Sequence, residues 1–140
     1  MESSGDGGAV RVFLRLPGRP DQVARARRWI SKELGRDHPL HDDCVLLTSE
    51  IATNAVLHSR TGAGGTFTLD LSHSDKRVYV SVRDEGSAEP PCACHAAPSA
   101  ANGRGLPLLE ALARRWGLIR EAGTNEVWFE LVVAPTGTAG

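Results

Sequence analysis

Two neighbouring segments of the chain alternate apolar and polar residues, and only a few residues separate them. They are residues 64–72, GGTFTLDLS, and residues 76–84, KRVYVSVRD. Alternation with a period of two predicts half-buried β-strands, and the polar residues between the segments predict a hairpin turn. The strands of a hairpin pair antiparallel, which requires that at least part of the sheet is antiparallel. The apolar faces consist of Phe67, Leu69 and Leu71 on the first strand and Val78, Val80 and Val82 on the second.

The other periodic segments complete an α+β pattern. Apolar residues at helical spacing predict helices at 21–34 and 40–59, and a third helix within 103–116 whose apolar stripe includes Trp116. Asp21 is expected to cap the first helix. The order β-α-α-β-β-α-β-β predicts a two-layer α+β sandwich, with helices on one face of a mixed, mostly antiparallel sheet. The remaining strands are predicted at 10–16, 117–121 and 126–133.

Length and charge narrow the classes of partner. The chain has 140 residues and a formal net charge of −1, which suits one domain and offers no general basic surface for nucleic acid. No apolar run approaches the roughly 20 residues needed to cross a membrane, and residues 1–10 do not resemble a signal peptide. We therefore expect a cytoplasmic protein without a direct nucleic-acid or membrane partner. The domain is predicted at 10–133, between a disordered tail at 1–9 and a flexible tail at 134–140.

The second predicted helix carries polar residues beside its apolar stripes. In LLTSEIATNAVLHS, residues 46–59, Glu50, Asn54 and His58 follow at a spacing of four and therefore form one ridge next to Leu47. A carboxylate near a core costs free energy unless something compensates it. Either this ridge is the exposed rim of the helix, or it faces a ligand. In the second case Asn54 offers Mg²⁺ a neutral oxygen, and Glu50 can act as a general base.

Glycines follow the predicted hairpin and open the third helix. Asp84 stands at the end of a strand, and Gly86 would let the backbone turn tightly beside a ligand. Gly103 and Gly105 lie at a helix start, where free backbone N–H groups and the helix dipole attract phosphate. Each motif alone could be an ordinary turn or helix entry. Together they place a polar ridge, an aspartate–glycine turn, a long loop and a glycine-led helix in one order.

The segment between the glycines is long for a loop in a small domain. Residues 86–102 are rich in Pro, Ala and Ser, which predicts either a functional lid or disorder. The lid contains Cys92, Cys94 and His95, which could ligate zinc. Cys-x-Cys is not the usual spacing of a zinc finger, however, and a fourth ligand is not evident. We therefore favour mobile, reduced thiols.

The first predicted helix has a basic exposed side. Arg25, Arg27 and Arg28 all fall outside its apolar stripe. They form either a solvated face or a docking surface for an acidic protein partner.

These motifs together resemble those of the GHKL ATPase superfamily, named for gyrase, a chaperone, histidine kinases and a mismatch-repair protein. Within it, the chain is most similar to the anti-sigma-factor serine/threonine kinases of bacteria and to the stand-alone histidine-kinase-like ATP-binding proteins of actinobacteria. SEIATNAVLHS resembles the N box, VRDEGSAEP the first glycine box, GRGLPLLEALARRWG the second, and VWFEL the last strand. The first glycine box departs from the pattern, with Ser87 and Ala88 where a second glycine is usual. Asn125 and Glu126 also stand where a lysine or threonine often precedes the last strand.

The resemblance implies a role for each matching residue. Asn54 would coordinate the Mg²⁺ that bridges the ATP phosphates, and Glu50 would orient or deprotonate the attacking hydroxyl. Asp84 would accept a hydrogen bond from the adenine amino group. The other ATP contacts that the resemblance implies are His58, Gly86, Gly103, Arg104, Gly105, Leu106 and Thr124.

The resemblance also implies an activity. It indicates an ATP- and Mg²⁺-dependent regulatory serine/threonine kinase that phosphorylates a small antagonist protein, sequesters a sigma factor, or does both. Homodimers are common among such proteins. Two rival hypotheses remain open, namely an ATP-binding regulatory module without kinase activity and a slow ATPase. Glu50 favours the kinase over the module, because a pure binding module has no need of a base.

Overall fold

The first and last elements of the fold are both β-strands. The computed structural model describes residues 9–58, 65–84, 105–121 and 123–134, and it describes only the backbone of His58, Gly105 and Leu106. The predicted lid and most of both predicted tails lie outside these residues. The strands are β1 (Val10–Pro17), β2 (Thr66–His73), β3 (Arg77–Asp84), β4 (Arg115–Glu121) and β5 (Thr124–Val132), and the helices are α1 (Asp21–Leu34), α2 (His41–His58) and α3 (Gly105–Leu112).

The strands form one sheet in the order β1-β2-β3-β5-β4. All four neighbouring pairs are antiparallel, which confirms the predicted hairpin between β2 and β3. The described sheet is therefore antiparallel throughout, whereas the sequence predicted a mixed, mostly antiparallel sheet. Strand β5 lies between β3 and β4, so the last of the described strands is an interior strand of the sheet.

One face of the sheet carries the core. Leu69 pairs with Leu14 on one side and with Val82 on the other, and Val82 pairs in turn with Val127. These rows continue along the same face, because alternate residues of a strand point to the same side. The predicted apolar faces of β2 and β3 are confirmed, since all six of their residues are buried. The largest fully buried side chains are those of Phe67, Phe129, Leu16, Ile30, Leu47, Leu69, Leu71, Leu109 and Leu131.

The helices cover this apolar face in the order α1, α2, α3. Helix α1 packs against α2 and contacts β1 and β2, whereas α3 packs against α2 and β4. Helix α2 is central and lies over β2 and β3. The predicted α+β sandwich with helices on one face is therefore confirmed. None of the helices in the described part of the chain is long and apolar enough to span a bilayer.

Two sequence-based expectations were wrong at helix ends. Trp116 belongs to β4, where it pairs with Phe129, and not to the third helix. The segment is compatible with a helix, but the Arg114 N–H donates to the Glu130 carbonyl at 2.8 Å and starts the strand. Asp21 does not cap α1, because its carboxylate accepts hydrogen bonds from the side chains of Arg19 and Gln22.

Candidate functional site

Helix α2 turns Asn54 of its polar ridge away from α1. Arg27 of α1 donates from Nη1 to the Ser49 hydroxyl at 3.3 Å, which marks the side of α2 that faces α1. Since successive helical residues are about 100° apart, Glu50 lies about 100° and Asn54 about 140° round the helix from Ser49. Helix α3 packs on α2 but is not among the neighbours of α1 described above. Asn54 therefore lies on the side of α2 away from α1, whereas Glu50 lies between the two sides, nearly in line with the exposed Leu57.

Both polar residues are half-buried, which places them at the border between core and solvent. Fully buried Leu47 precedes Asn54 by seven residues, or about two turns, and therefore lies almost directly below it on the same side of α2. Glu50 and Asn54 are one turn apart, about 6 Å along the axis. A carboxylate and a carboxamide at this spacing can contact the same small ligand.

Asp84 supplies a second carboxylate at the end of β3. It is only 8% exposed, and it pairs with Phe67 of β2 and with Asn125 of β5. It shares its face with buried Val82, which is the face that α2 covers. The structure therefore places a buried carboxylate at the sheet end, on the same side of the sheet as α2.

Thr124 lies on the other face of the sheet from Asp84. Its hydroxyl donates to the Glu121 carbonyl at 2.9 Å and closes the turn between β4 and β5. The next residue, Asn125, is half-buried and points to the helix side, directly opposite Asp84. Asn125 therefore shares a face with Asp84 and Thr124 does not, which only the strand register shows. The predicted role of Thr124 as an ATP contact stays a prediction.

The second glycine box contributes the start of α3. This helix begins at Gly105, and Pro107 falls in its first turn, where a missing N–H costs nothing. The first backbone N–H groups of a helix have no partner within it, which makes this end suited to an anion. Gly86, Gly103, Arg104 and the side chains of His58 and Leu106 lie outside the described residues, and their roles stay predictions.

The donor set suits magnesium held through a nucleotide. Magnesium prefers oxygen ligands, keeps several waters and is usually bound by one or two side chains together with substrate phosphates. The half-buried amide oxygen of Asn54 and the carboxylate of Glu50 one turn away fit this mode. Within the described ranges no group of three His, Cys, Asp or Glu side chains could hold a metal ion. A Mg²⁺ ion held by one amide oxygen and two or three phosphate groups needs no such group of three protein side chains.

The comparisons with known proteins agree with this arrangement. Residues 16–131 match the model of a protein family described as the histidine kinase-like ATPase domain. The chain belongs to this family. The match includes α2 with Glu50 and Asn54, Asp84, and all of α3. A search of curated proteins finds no match.

Two solved structures share the fold of this ATPase domain. One is the histidine kinase domain of the blue-light activated histidine kinase from Erythrobacter litoralis EL346, with 20% identity and a TM-score of 0.55. The other is that kinase itself, with 21% identity and a TM-score of 0.59. The alignments cover 81% and 88% of this chain, but only 60% and 43% of the two kinase chains. The chain thus spans only part of the length of either kinase chain.

Proposed function

We propose that the protein is an ATP- and Mg²⁺-dependent serine/threonine kinase of the anti-sigma-factor type. It phosphorylates a small antagonist protein and sequesters a sigma factor, and it does so in the cytoplasm. Membership of the ATPase-domain family supports ATP as the nucleotide. The single observation that carries the kinase assignment is the pair of Glu50 and Asn54, both half-buried and one turn apart on α2.

Three side chains divide the work of binding and orientation. The buried carboxylate of Asp84 accepts a hydrogen bond from the adenine amino group, and Asn125 opposite it lies against the same base. Asn54 directs its amide oxygen to the Mg²⁺. When bound, the metal ion neutralises charge on the phosphates. The start of α3 donates backbone N–H groups to phosphate oxygens.

Glu50 acts on the hydroxyl of the protein substrate. Its carboxylate accepts the hydroxyl proton while the serine or threonine oxygen forms a bond to the γ-phosphorus. The bond between the γ-phosphorus and the bridging oxygen of ADP breaks at the same time, and ADP leaves with that electron pair. Phosphoryl transfer depends mainly on positioning and charge stabilisation. A general base adds roughly 10²–10⁴-fold.

Transfer of labelled phosphate from ATP tests this function. The chain is incubated with γ-labelled ATP and Mg²⁺ together with candidate antagonist proteins and sigma factors from its native host. We expect label on a serine or threonine of one antagonist, and none when chelator replaces Mg²⁺. ATP binding without transfer would identify a regulatory module, and release of phosphate without a labelled protein would identify an ATPase. Either result would overturn the kinase assignment, and no binding at millimolar ATP would overturn the nucleotide site as well.

A further inference from the structure

A groove runs between α1 and α2 on the solvent side of the helix layer. It is lined by Pro20, Val23, Ala24 and Arg27 from the first helix and its approach, and by Thr53, Val56 and Leu57 from the second. We call this the α1–α2 groove. Its volume is about 280 Å³, which is enough to receive one or two apolar side chains but too little for a nucleotide.

The groove is apolar at its base and along one wall. Val23 and Val56 are buried, whereas Leu57 is 61% exposed. An isolated exposed leucine is common on protein surfaces. Leu57 differs from that ordinary case because it lines a concave surface whose base is already apolar. A second apolar side chain that entered the groove would cover Leu57 and lose its own contact with water.

One charged side chain, that of Arg27, lines the groove. Helix α1 carries three arginines and a lysine but only two acidic residues, although the whole chain has a net charge of −1. One of those acids, Asp21, is already paired with Arg19 at 3.2 Å. Arg27 lines the groove and bonds the neutral Ser49, and in the described part of the chain no carboxylate pairs with it. Arg27 therefore has charge available for a partner.

We infer that the α1–α2 groove docks a segment of an acidic protein, with an apolar side chain against Leu57 and a carboxylate against Arg27. A membrane surface fits less well, because a single leucine in a concave groove cannot insert into a bilayer. Nucleic acid fits less well, because the groove base is apolar. Guanidinium groups also bind carboxylates in a bidentate geometry that favours an acidic protein partner.

The groove lies close to the proposed catalytic base. Leu57 follows Glu50 by seven residues, which places it on nearly the same side of α2 and about 10.5 Å along the axis. A segment that occupied the groove would therefore hold its protein within reach of Glu50. This inference rests on the proposed kinase function, for which it supplies the docking site of the protein substrate.

Peptide selection followed by binding measurements tests the docking site. Random peptides of about 12 residues, up to about 18 Å long as a helix, are displayed on phage and selected on the full chain. The enriched peptide is then labelled, and its affinity is measured by fluorescence anisotropy. We expect a net negative peptide with at least one large apolar residue. Leu57→Lys and Arg27→Glu should each weaken its binding by roughly tenfold or more, because each removes a central contact.

Matched variants separate the groove from general effects of charge. Leu46→Lys changes the other exposed leucine of α2, which is 42% exposed and lies about three turns from Leu57. Arg36→Glu makes the same charge reversal as Arg27→Glu, beyond the end of α1. Both controls should bind the peptide within about twofold of wild type, and all four variants should keep the melting temperature.

Several results would overturn the docking site. Neutral or basic peptides, no enrichment, or equal losses in the groove and control variants would each do so. Co-sedimentation with vesicles of anionic phosphatidylglycerol that is lost in the groove variants would assign this surface to lipid instead. Calorimetry with ATP on the same proteins keeps the two hypotheses apart. If the wild-type protein did not bind ATP, the proposed function would be wrong. The docking site would still be tested by the peptide-binding measurements alone.

Discussion

Glu50 and Asn54 differ in chemistry although they lie one turn apart on α2, and separate substitutions distinguish their roles. Glu50→Gln keeps the size of the side chain but removes the base and its charge. We expect phosphotransfer to fall by roughly 10²–10⁴-fold, the usual contribution of a general base. ATP binding should persist or tighten, because a carboxylate near the phosphates repels them. The measurements are transfer of labelled phosphate, ATP affinity by calorimetry, and thermal melting.

The same variant separates three roles for Glu50. A surface residue would change stability by no more than about 0.5 kcal/mol and leave transfer intact. A structural ion-pair partner would lower the melting temperature together with activity. Full phosphotransfer by Glu50→Gln would contradict the catalytic role even if ATP binding were demonstrated.

Asn54→Ala tests the magnesium ligand. The variant removes one oxygen ligand from a half-buried position, and it should weaken ATP binding in Mg²⁺ by much more than in chelator. Calorimetry with a non-hydrolysable ATP analogue measures both affinities. Equal losses in the two conditions would mean that Asn54 supports the structure of α2 and does not bind the metal ion.

The positions of the polar residues of α2 and of the strand-end carboxylate were predictable from the sequence, because helical and strand periodicity fix their faces, and their roles stay predictions. The sequence did not show which of Thr124 and Asn125 shares a face with Asp84, for a physical reason. The two residues are adjacent, and only the register of β5 against β3 decides which of them stands opposite Asp84. Contacts that depend on the strand register could therefore not be predicted from the sequence.

At the scale of elements, His38 joins the turn after α1 to the β2–β3 hairpin. His38 accepts a hydrogen bond from the Leu40 N–H at Nδ1 and donates from Nε2 to the Ser74 carbonyl at 2.7 Å. The neighbouring His73 has a buried Nε2 that no group in the described residues satisfies. Burial lowers the pKa of His73 below its ordinary value of 6.5, nearby His38 lowers it further, and Glu33 opposes both effects.

The lowered pKa of His73 predicts that the fold loses stability in mild acid. A histidine whose pKa is lower in the folded state stabilises the fold fully above pH 6.5, and that stabilisation is lost as the pH falls below this value, because the unfolded chain takes up the proton first. His73→Leu removes this contribution. The free energy of unfolding is measured with urea at about pH 7.5 and about pH 5. Its decrease between the two pH values should be smaller for His73→Leu than for wild type. Equal losses would mean that His73 does not contribute.

The end of α3 shows why the sequence alone does not determine where an element ends. The residues after Leu112 continue a pattern that suits a helix, and nothing in their composition forbids one. The sheet decides otherwise, since Trp116 pairs with Phe129 and donates from Nε1 to Glu110 of α3 at 3.2 Å. Tertiary pairing overrides local preference here.

For the molecule as a whole, the rate at which Cys44 is alkylated measures how often the core opens. Its thiol is fully buried, and burial raises its pKa to about 12, so that it is neither accessible nor ionised in the folded state. In a background with Cys92→Ser and Cys94→Ser, alkylation of Cys44 therefore requires unfolding. ATP at about 100 times its Kd should stabilise the fold by about 2.7 kcal/mol and slow this alkylation by roughly 100-fold.

A thiol-reactive probe and mass spectrometry measure this rate with and without ATP. The Asn54→Ala variant serves as the control, because its protection by ATP in Mg²⁺ should be weaker. An alkylation rate that saturating ATP leaves unchanged would contradict binding to the folded domain.

The order of elements and the two-layer architecture were predictable at this scale, because each element has a clear period and short connections limit the topology. The position of β5 inside the sheet was not predicted. It depends on which strand edge remains available once β2 and β3 have paired, and that is a property of the assembled sheet.

The interior position of β5 has a consequence for how the protein is made. Among the described strands, β4 pairs only with β5, and β5 follows β4 in the chain. On the ribosome the chain can pair β1, β2 and β3, but β4 must wait with an unpaired edge until residues beyond Val132 leave the exit tunnel. Long-range pairing of this kind is slow and leaves apolar surface exposed. The nascent chain therefore exposes an unpaired edge of β4 until β5 has emerged from the ribosome.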